Sequence, residues 1–248
     1  MKSNTTYQHG TANSLVHNSA TLRRLARTVN RRLLRLYGIP RWTRLDGVSE
    51  LVSTILSQNT NDNNRDLAYT RLRARLPALE QVRDAPSNVV VDAIRPAGLA
   101  NQKGPRIQAA LRRISDERGE LNIDFLEELP VAEARQWLTS INGVGPKTAA
   151  IVLLFCYEKP VFPVDTHIHR VSQRLGLIGP KISAEQAHLI LEQLCPAGEY
   201  GTFHINIIRH GREICHARAP ECVRCPLQDL CRYYQSSTWK ANKAGAVS

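Results

Sequence analysis

Ile141-Asn142-Gly143-Val144-Gly145-Pro146-Lys147-Thr148 lies between two stretches with helical apolar spacing, Val131 to Ile141 and Thr148 to Tyr157. Two glycines, two residues apart, permit a sharp backbone reversal, and Pro146 suits the first position of the following helix, where its missing N–H costs nothing. The stretch therefore predicts a hairpin between two helices. Further helical patterns flank it on both sides: Thr21 to Tyr37, Val48 to Ser57, Arg65 to Arg75, Val89 to Arg95, Pro105 to Arg118, His167 to Leu175 and Ala184 to Cys195. Leu76-Pro77, Ala85-Pro86, Pro96-Ala97-Gly98 and Gly179-Pro180 punctuate the series as turns. Because no run alternates in the manner of a strand, the expected fold is all-α.

The 248 residues suffice for one large domain or two lobes. The longest unbroken apolar run, Ala149 to Tyr157, is at most half of the ~20 residues that a membrane helix needs. With 33 Lys and Arg against 22 Asp and Glu, the net charge is +11, and a polyanion is favoured as partner over an anionic membrane surface. Nine of those bases and no acid precede Asp46. Residues 1–20 are polar and aperiodic and read as a flexible arm. From Thr21 the positions Leu22, Leu25, Val29, Leu33 and Leu36 form one apolar stripe, with arginines elsewhere around the helix until Gly38 and Pro40. The chain has no apolar signal-peptide core, so the expected location is cytoplasmic and nucleoid-associated, with an organellar address for the Arg-rich start as the alternative.

Three features carry chemistry. The hairpin's glycines, Gly143 and Gly145, and the positive end of the next helix make a cradle for phosphate without sequence preference. Lys147 sits in the first turn of that helix, where the dipole disfavours a cation; it suits phosphate binding or, when neutral, nucleophilic attack. Phe162-Pro163-Val164-Asp165-Thr166-His167-Ile168-His169-Arg170 opens another helix, which Asp165 can cap. His167 and His169 are two apart and do not share a helical face, which argues against a metal there. Cys215, Cys222, Cys225 and Cys231 form a four-thiolate array that serves zinc and a 4Fe-4S cluster equally by spacing. Between its first two members lie His216 and Arg218, a basic loop suited to phosphates or simply to solvent. Cys156 and Cys195 read as core.

Taken together, the Gly143-Val144-Gly145-Pro146-Lys147 hairpin, Val164-Asp165-Thr166-His167 and the four-cysteine array resemble the endonuclease III family of DNA glycosylases, over roughly Leu22 to Tyr234. The resemblance implies two helical lobes. One is a six-helix barrel over residues 40–159 that ends in the hairpin; the other combines residues 21–39 with 160–248 and holds a structural 4Fe-4S cluster, with DNA in the cleft between the lobes. It implies a bifunctional glycosylase and abasic-site lyase of base excision repair, a monomer acting on oxidised pyrimidines in double-stranded DNA. Lys147 would attack the anomeric carbon of a flipped nucleotide, and Asp165 would stabilise the positive charge on the sugar.

By the same resemblance two loops fill the hole left by the flipped base: Leu56-Ser57-Gln58-Asn59-Thr60-Asn61-Asp62, and Gly98-Leu99-Ala100-Asn101-Gln102-Lys103 with Leu99 as wedge. The family's glutamine falls where Asn59 stands, and Gln58 sits one residue earlier, closer to the adenine-mismatch branch. That branch carries a catalytic glutamate at the position of Thr54 and usually a serine at that of Lys147, and both signatures are missing here. Asn142 replaces the usual proline before the hairpin. The competing expectations are a glycosylase for an oxidised purine or mismatched base, and a non-catalytic, zinc-stapled DNA-binding module.

Overall fold

The computed structural model describes residues 10–236, with side chains from residue 19 onward. Every regular element among the described residues is helical, as expected. In chain order these are α1 (Gly10–Tyr37), α2 (Gly47–Ser57), α3 (Asp62–Arg75), α4 (Leu79–Asp84), α5 (Ser87–Ala93), α6 (Ala100–Arg118), α7 (Val131–Thr139), α8 (Pro146–Tyr157), α9 (Thr166–Leu175), α10 (Ala184–Leu194), α11 (Tyr200–Glu213) and α12 (Arg232–Gln235), with short 3₁₀ turns between some of them. The chain divides into two compact units: Arg41–Pro163, and the segment up to Pro40 together with that from Val164 onward.

In the Arg41–Pro163 unit the apolar run of α8 is the centre of the core. Ala149, Ala150, Val152, Leu153 and Cys156 are buried, so a helix apolar on every side is enclosed on every side. Helix α2 packs on α8. It starts where Asp46 accepts from the Ser49 amide at 2.8 Å. Its first residue must be Gly47, because a Cβ there would lie 2.0 Å from the Tyr157 hydroxyl. Helix α6 closes the unit from the other side, and its buried Gln108 donates to the carbonyls of Val82 and Ala85 at the end of α4. The expected start of α6 at Pro105 is corrected to Ala100. A proline one turn inside removes a single ladder bond, and the turn ahead of it is held by the Gln102 and Lys103 amides on the Leu99 carbonyl.

In the other unit α1 packs on α10 and α11. Asn206 of α11 donates to the Gly38 carbonyl just beyond α1 at 3.0 Å, and Arg32 reaches Asp229 in an ion pair. Two expectations are corrected here. Helix α1 begins at Gly10, inside the segment read as an arm; Gly10–Ala20 holds no proline, so nothing stops the helix from propagating back. Residues 1–9, the rest of that arm, lie outside the described residues. Helix α11 was not expected at all, because its buried face carries His204, Asn206 and His210 and so shows no apolar period.

Candidate active site and cysteine centre

At the hairpin between α7 and α8, only Gly143 takes the left-handed backbone, with φ +85°. A Cβ there would come within 3.0 Å of the Arg106 side chain. Gly145 is extended and serves as the N-cap of α8 without a capping side chain; nothing stands within 4 Å of the Cβ it lacks. The reversal thus needs one glycine for its conformation and the other for the open approach it leaves to the first turn of α8. Lys147, half-buried, is the second residue of that turn.

Next to Lys147 stands Glu50 of α2, whose carboxyl is pushed above the usual carboxylate range by burial; the Thr54 hydroxyl that donates to it and the positive charges of Arg65 and Lys147 only partly offset this. Folding therefore costs most where Glu50 is ionised: stability falls as pH rises through the unfolded value of 4.5 towards the folded one. Glu50→Gln is expected to raise the melting temperature by a few degrees at neutral pH, and the gain should vanish below pH 4.5, where both states are protonated. Melting curves at the two pH values check this; equal gains at both would contradict burial of the charge.

The two loops expected to read the lesion lie in the same unit. Gln58 is turned to the hairpin: its amide donates to the Gly143 carbonyl at 3.0 Å and lies 3.5 Å from the Thr148 hydroxyl. Asn59 is exposed and left-handed, at φ +53°. Of this adjacent pair it is therefore Asn59 that is presented outward, at the position where the family's glutamine falls. Leu99 is also left-handed, at φ +49°, and 48% exposed. A leucine held in that conformation costs about 1–2 kcal/mol, and such strain persists where the surroundings impose it.

In the other unit Asp165 caps α9, accepting from the Ile168 amide at 2.8 Å. Its neighbour His167 is fixed by Arg170, whose guanidinium donates to Nδ1 at 3.1 Å and to the Gly211 carbonyl at 2.8 Å. A guanidinium only donates, so the proton of the neutral ring sits on Nε2. Burial also pulls the His167 pKa down and keeps the ring neutral near pH 7. His169 points elsewhere, with Nε2 2.8 Å from the Ile182 carbonyl. No pair of metal ligands forms at these histidines.

The four cysteines of the array all line one pocket, whose apolar wall includes Val171, Leu175, Ile214 and Leu227. Among the described residues no three His, Cys, Asp or Glu side chains gather closely enough for a single ion. Four thiols spread around one cavity instead suit a polynuclear group that fills it. Donors are already aimed at the sulfurs: Arg174 to Cys215 Sγ at 3.2 Å and the Leu227 amide to Cys225 Sγ at 3.4 Å, with His210 Nε2 3.5 Å from the same Cys225 sulfur. Arg174 also donates to the carbonyls of His216 and Ala217 and stacks on Tyr233, so it fixes the loop that follows Cys215. Arg218, in that loop, is exposed and makes no hydrogen bond or ion pair among the described residues. Cys156 and Cys195 are core thiols; burial pushes the first up to about 12 and raises the second as well, which leaves neither a nucleophile. Sequence reasoning missed Arg174 and His210. Nothing in the periodicity marks them, because both are buried polar groups whose partners are distant in sequence.

Comparison with known proteins is consistent across sequence and structure. Residues 52–197 match the family described as HhH-GPD superfamily base excision DNA repair protein, and residues 215–231 match the iron-sulfur binding domain of endonuclease III. The chain is 36% identical over 186 residues to the endonuclease III of Sulfolobus acidocaldarius, covering 74% of this chain and 81% of that protein. It is 34% identical to the endonuclease III of Thermotoga maritima, covering 75% and 82%. Among solved structures it is similar to a non-covalent endonuclease III–DNA complex at TM-score 0.74 and 26% identity, covering 86% of this chain and 96% of that one. A trapped endonuclease III–DNA covalent intermediate matches at TM-score 0.73 and 26% identity, covering 86% and 97%.

Proposed function

The chain belongs to the endonuclease III family of the HhH-GPD superfamily of base excision repair DNA glycosylases, and from that membership we propose that it is bifunctional, removing oxidised pyrimidines from duplex DNA and then cleaving the abasic site. The observation that carries the lyase step is Lys147, half-buried in the first turn of α8, behind an N-cap glycine that leaves the approach to that turn open. A related enzyme has been caught as a covalent DNA intermediate, and a lysine amine supplies the bond such an intermediate needs.

The chemistry follows from the residues. A base stacked in a duplex is out of reach, so the damaged nucleotide must leave the stack, and Asn59 and Leu99 are the exposed side chains suited to the gap. Lys147 Nζ, once deprotonated, forms a bond to the anomeric carbon as the bond to the base breaks. The lone pair of the ring oxygen and then of the bound nitrogen carries the resulting cation as an iminium. Loss of the proton from the neighbouring sugar carbon expels the 3′ phosphate, and water releases Lys147 from the product. Asp165 offers a fixed carboxylate to the developing positive charge, and His167 a neutral Nε2–H to a phosphate oxygen. The absence of a carboxylate at Thr54 argues against the adenine-mismatch chemistry.

The protein binds a 4Fe-4S cluster, and we assign it to Cys215, Cys222, Cys225 and Cys231, whose shared pocket fits it. When bound, the cluster supplies a rigid staple for the Arg218 loop rather than electrons for base removal. The purified protein is expected to be brown, with broad absorption near about 400 nm and about four irons per chain, and a colourless zinc protein would overturn the assignment.

The deciding experiment is borohydride trapping on a duplex with one thymine glycol, beside an abasic-site duplex, with peptide mapping of the adduct. An adduct at Lys147 on both supports the whole reading. Trapping on the abasic duplex alone keeps the lyase and transfers the substrate to another lesion, with an oxidised purine duplex as the next probe. No adduct at Lys147 on either removes the bifunctional reading.

A further inference from the structure

Lys103 is 1% exposed, which makes it the largest fully buried side chain among the described residues, and it sits in the first turns of α6. Its ammonium group donates to two backbone carbonyls and to nothing else among the described residues: Leu56 at 2.8 Å and Ala97 at 2.8 Å. Leu56 lies in the last turn of α2, two residues before Gln58; Ala97 closes the 3₁₀ turn two residues before Leu99. Both carbonyls fall where helical amides have run out, and a group with three donors and no acceptor can serve both at once. No carboxylate hydrogen-bonds to the ammonium, and burial pulls its pKa down. A buried charge without a counter-ion is unfavourable for folding, so this one is an expensive way to fill space.

The two carbonyls it joins belong to the two loops that carry the left-handed residues Asn59 and Leu99. We propose that Lys103 is a positioning residue that couples the Gln58–Asn59 loop to the Leu99 turn through the carbonyls of Leu56 and Ala97, so that both enter the DNA stack as one rigid element. The inference rests on the reading that these loops fill the space of the flipped base. It goes further in making their joint placement depend on one buried ammonium that touches neither DNA nor the reacting atoms.

The test uses Lys103→Met, which keeps the length of the side chain and removes the donors, with Leu99→Ala alongside. The readouts are single-turnover base removal, borohydride trapping on a preformed abasic site, and fluorescence of a 2-aminopurine beside the lesion, which brightens as the stack opens. Lys103→Met is expected to slow base removal and to reduce the fluorescence rise by about tenfold or more, as misplacement of a reading element by an ångström can, while trapping at the abasic site stays within about threefold. A merely structural role would lower all three together. In the double variant the two losses should not multiply, because either one disables the same element. Leu99→Ala without effect would remove the loop reading itself. Leu99→Ala active as expected with Lys103→Met indistinguishable from the wild type would overturn the coupling alone. Should Lys103→Met fail to fold, hydrogen exchange on the wild-type protein decides: the amides of residues 58–60 and 98–99 should open at one common rate, and rates more than about tenfold apart would overturn the proposal.

Discussion

Lys147→Gln is expected to abolish the borohydride-trapped adduct and strand cleavage, by at least about a thousandfold on both thymine-glycol and abasic duplexes, because no other amine in the site replaces a covalent nucleophile. Duplex binding should weaken by less than about tenfold, the scale of one lost ionic contact to phosphate. The asymmetry follows from the hairpin: Gly143 and Gly145 set its backbone and its open approach, and a glutamine at position 147 alters neither. Gel-shift affinity and trapping measured on the same duplex check it. Loss of both activities in proportion would show that Lys147 serves as a phosphate ligand, and retained cleavage would move the nucleophile elsewhere.

The second large effect separates two roles of one carboxylate. Asp165 caps α9 through the Ile168 amide, and asparagine caps a helix about as well as aspartate does. Asp165→Asn should therefore shift stability by no more than about 1 kcal/mol, the value of a charge at a helix N-terminus. Single-turnover base removal should nevertheless fall by about 100-fold or more, because the negative charge opposite the sugar cation is gone. Asp165→Ala removes cap and charge together, so it should match the asparagine variant in rate and cost about a further 1 kcal/mol in stability. An asparagine variant with the wild-type rate would leave Asp165 only its structural task.

Legibility followed the chemistry of burial. Helix α8 announced itself because every face of Ala149–Leu154 is apolar, and the hairpin because glycines and a proline have backbone consequences that a sequence displays directly. The cysteine array was legible as a metal centre, yet spacing left zinc and the cluster level. It took the pocket shared by four separated thiols, and the match to the iron-sulfur domain, to decide between them. Helix α11 was invisible because His204, Asn206 and His210 occupy its inner face, and buried polar residues carry no periodic signal when their partners lie on other elements. Gln58 and Asn59 could not be told apart as readers by residue type. The distinction lies in a hydrogen bond to Gly143 and a positive φ, both products of the fold.

The discontinuous unit also sets an order of events during translation. Arg32 on α1 and its partner Asp229 are 197 residues apart, and Asn206 reaches back to Gly38 across 168. The Arg41–Pro163 unit is synthesised whole between them and has every contact it needs before the first cysteine of the array has been made. A nascent chain therefore carries α1 as an orphan, its arginine-rich helix waiting for partners that the ribosome delivers last. Metal loading is the closing step of biogenesis for this protein, and a cell starved of iron would accumulate chains in which the hairpin is already built and the N-terminal helix still has no home.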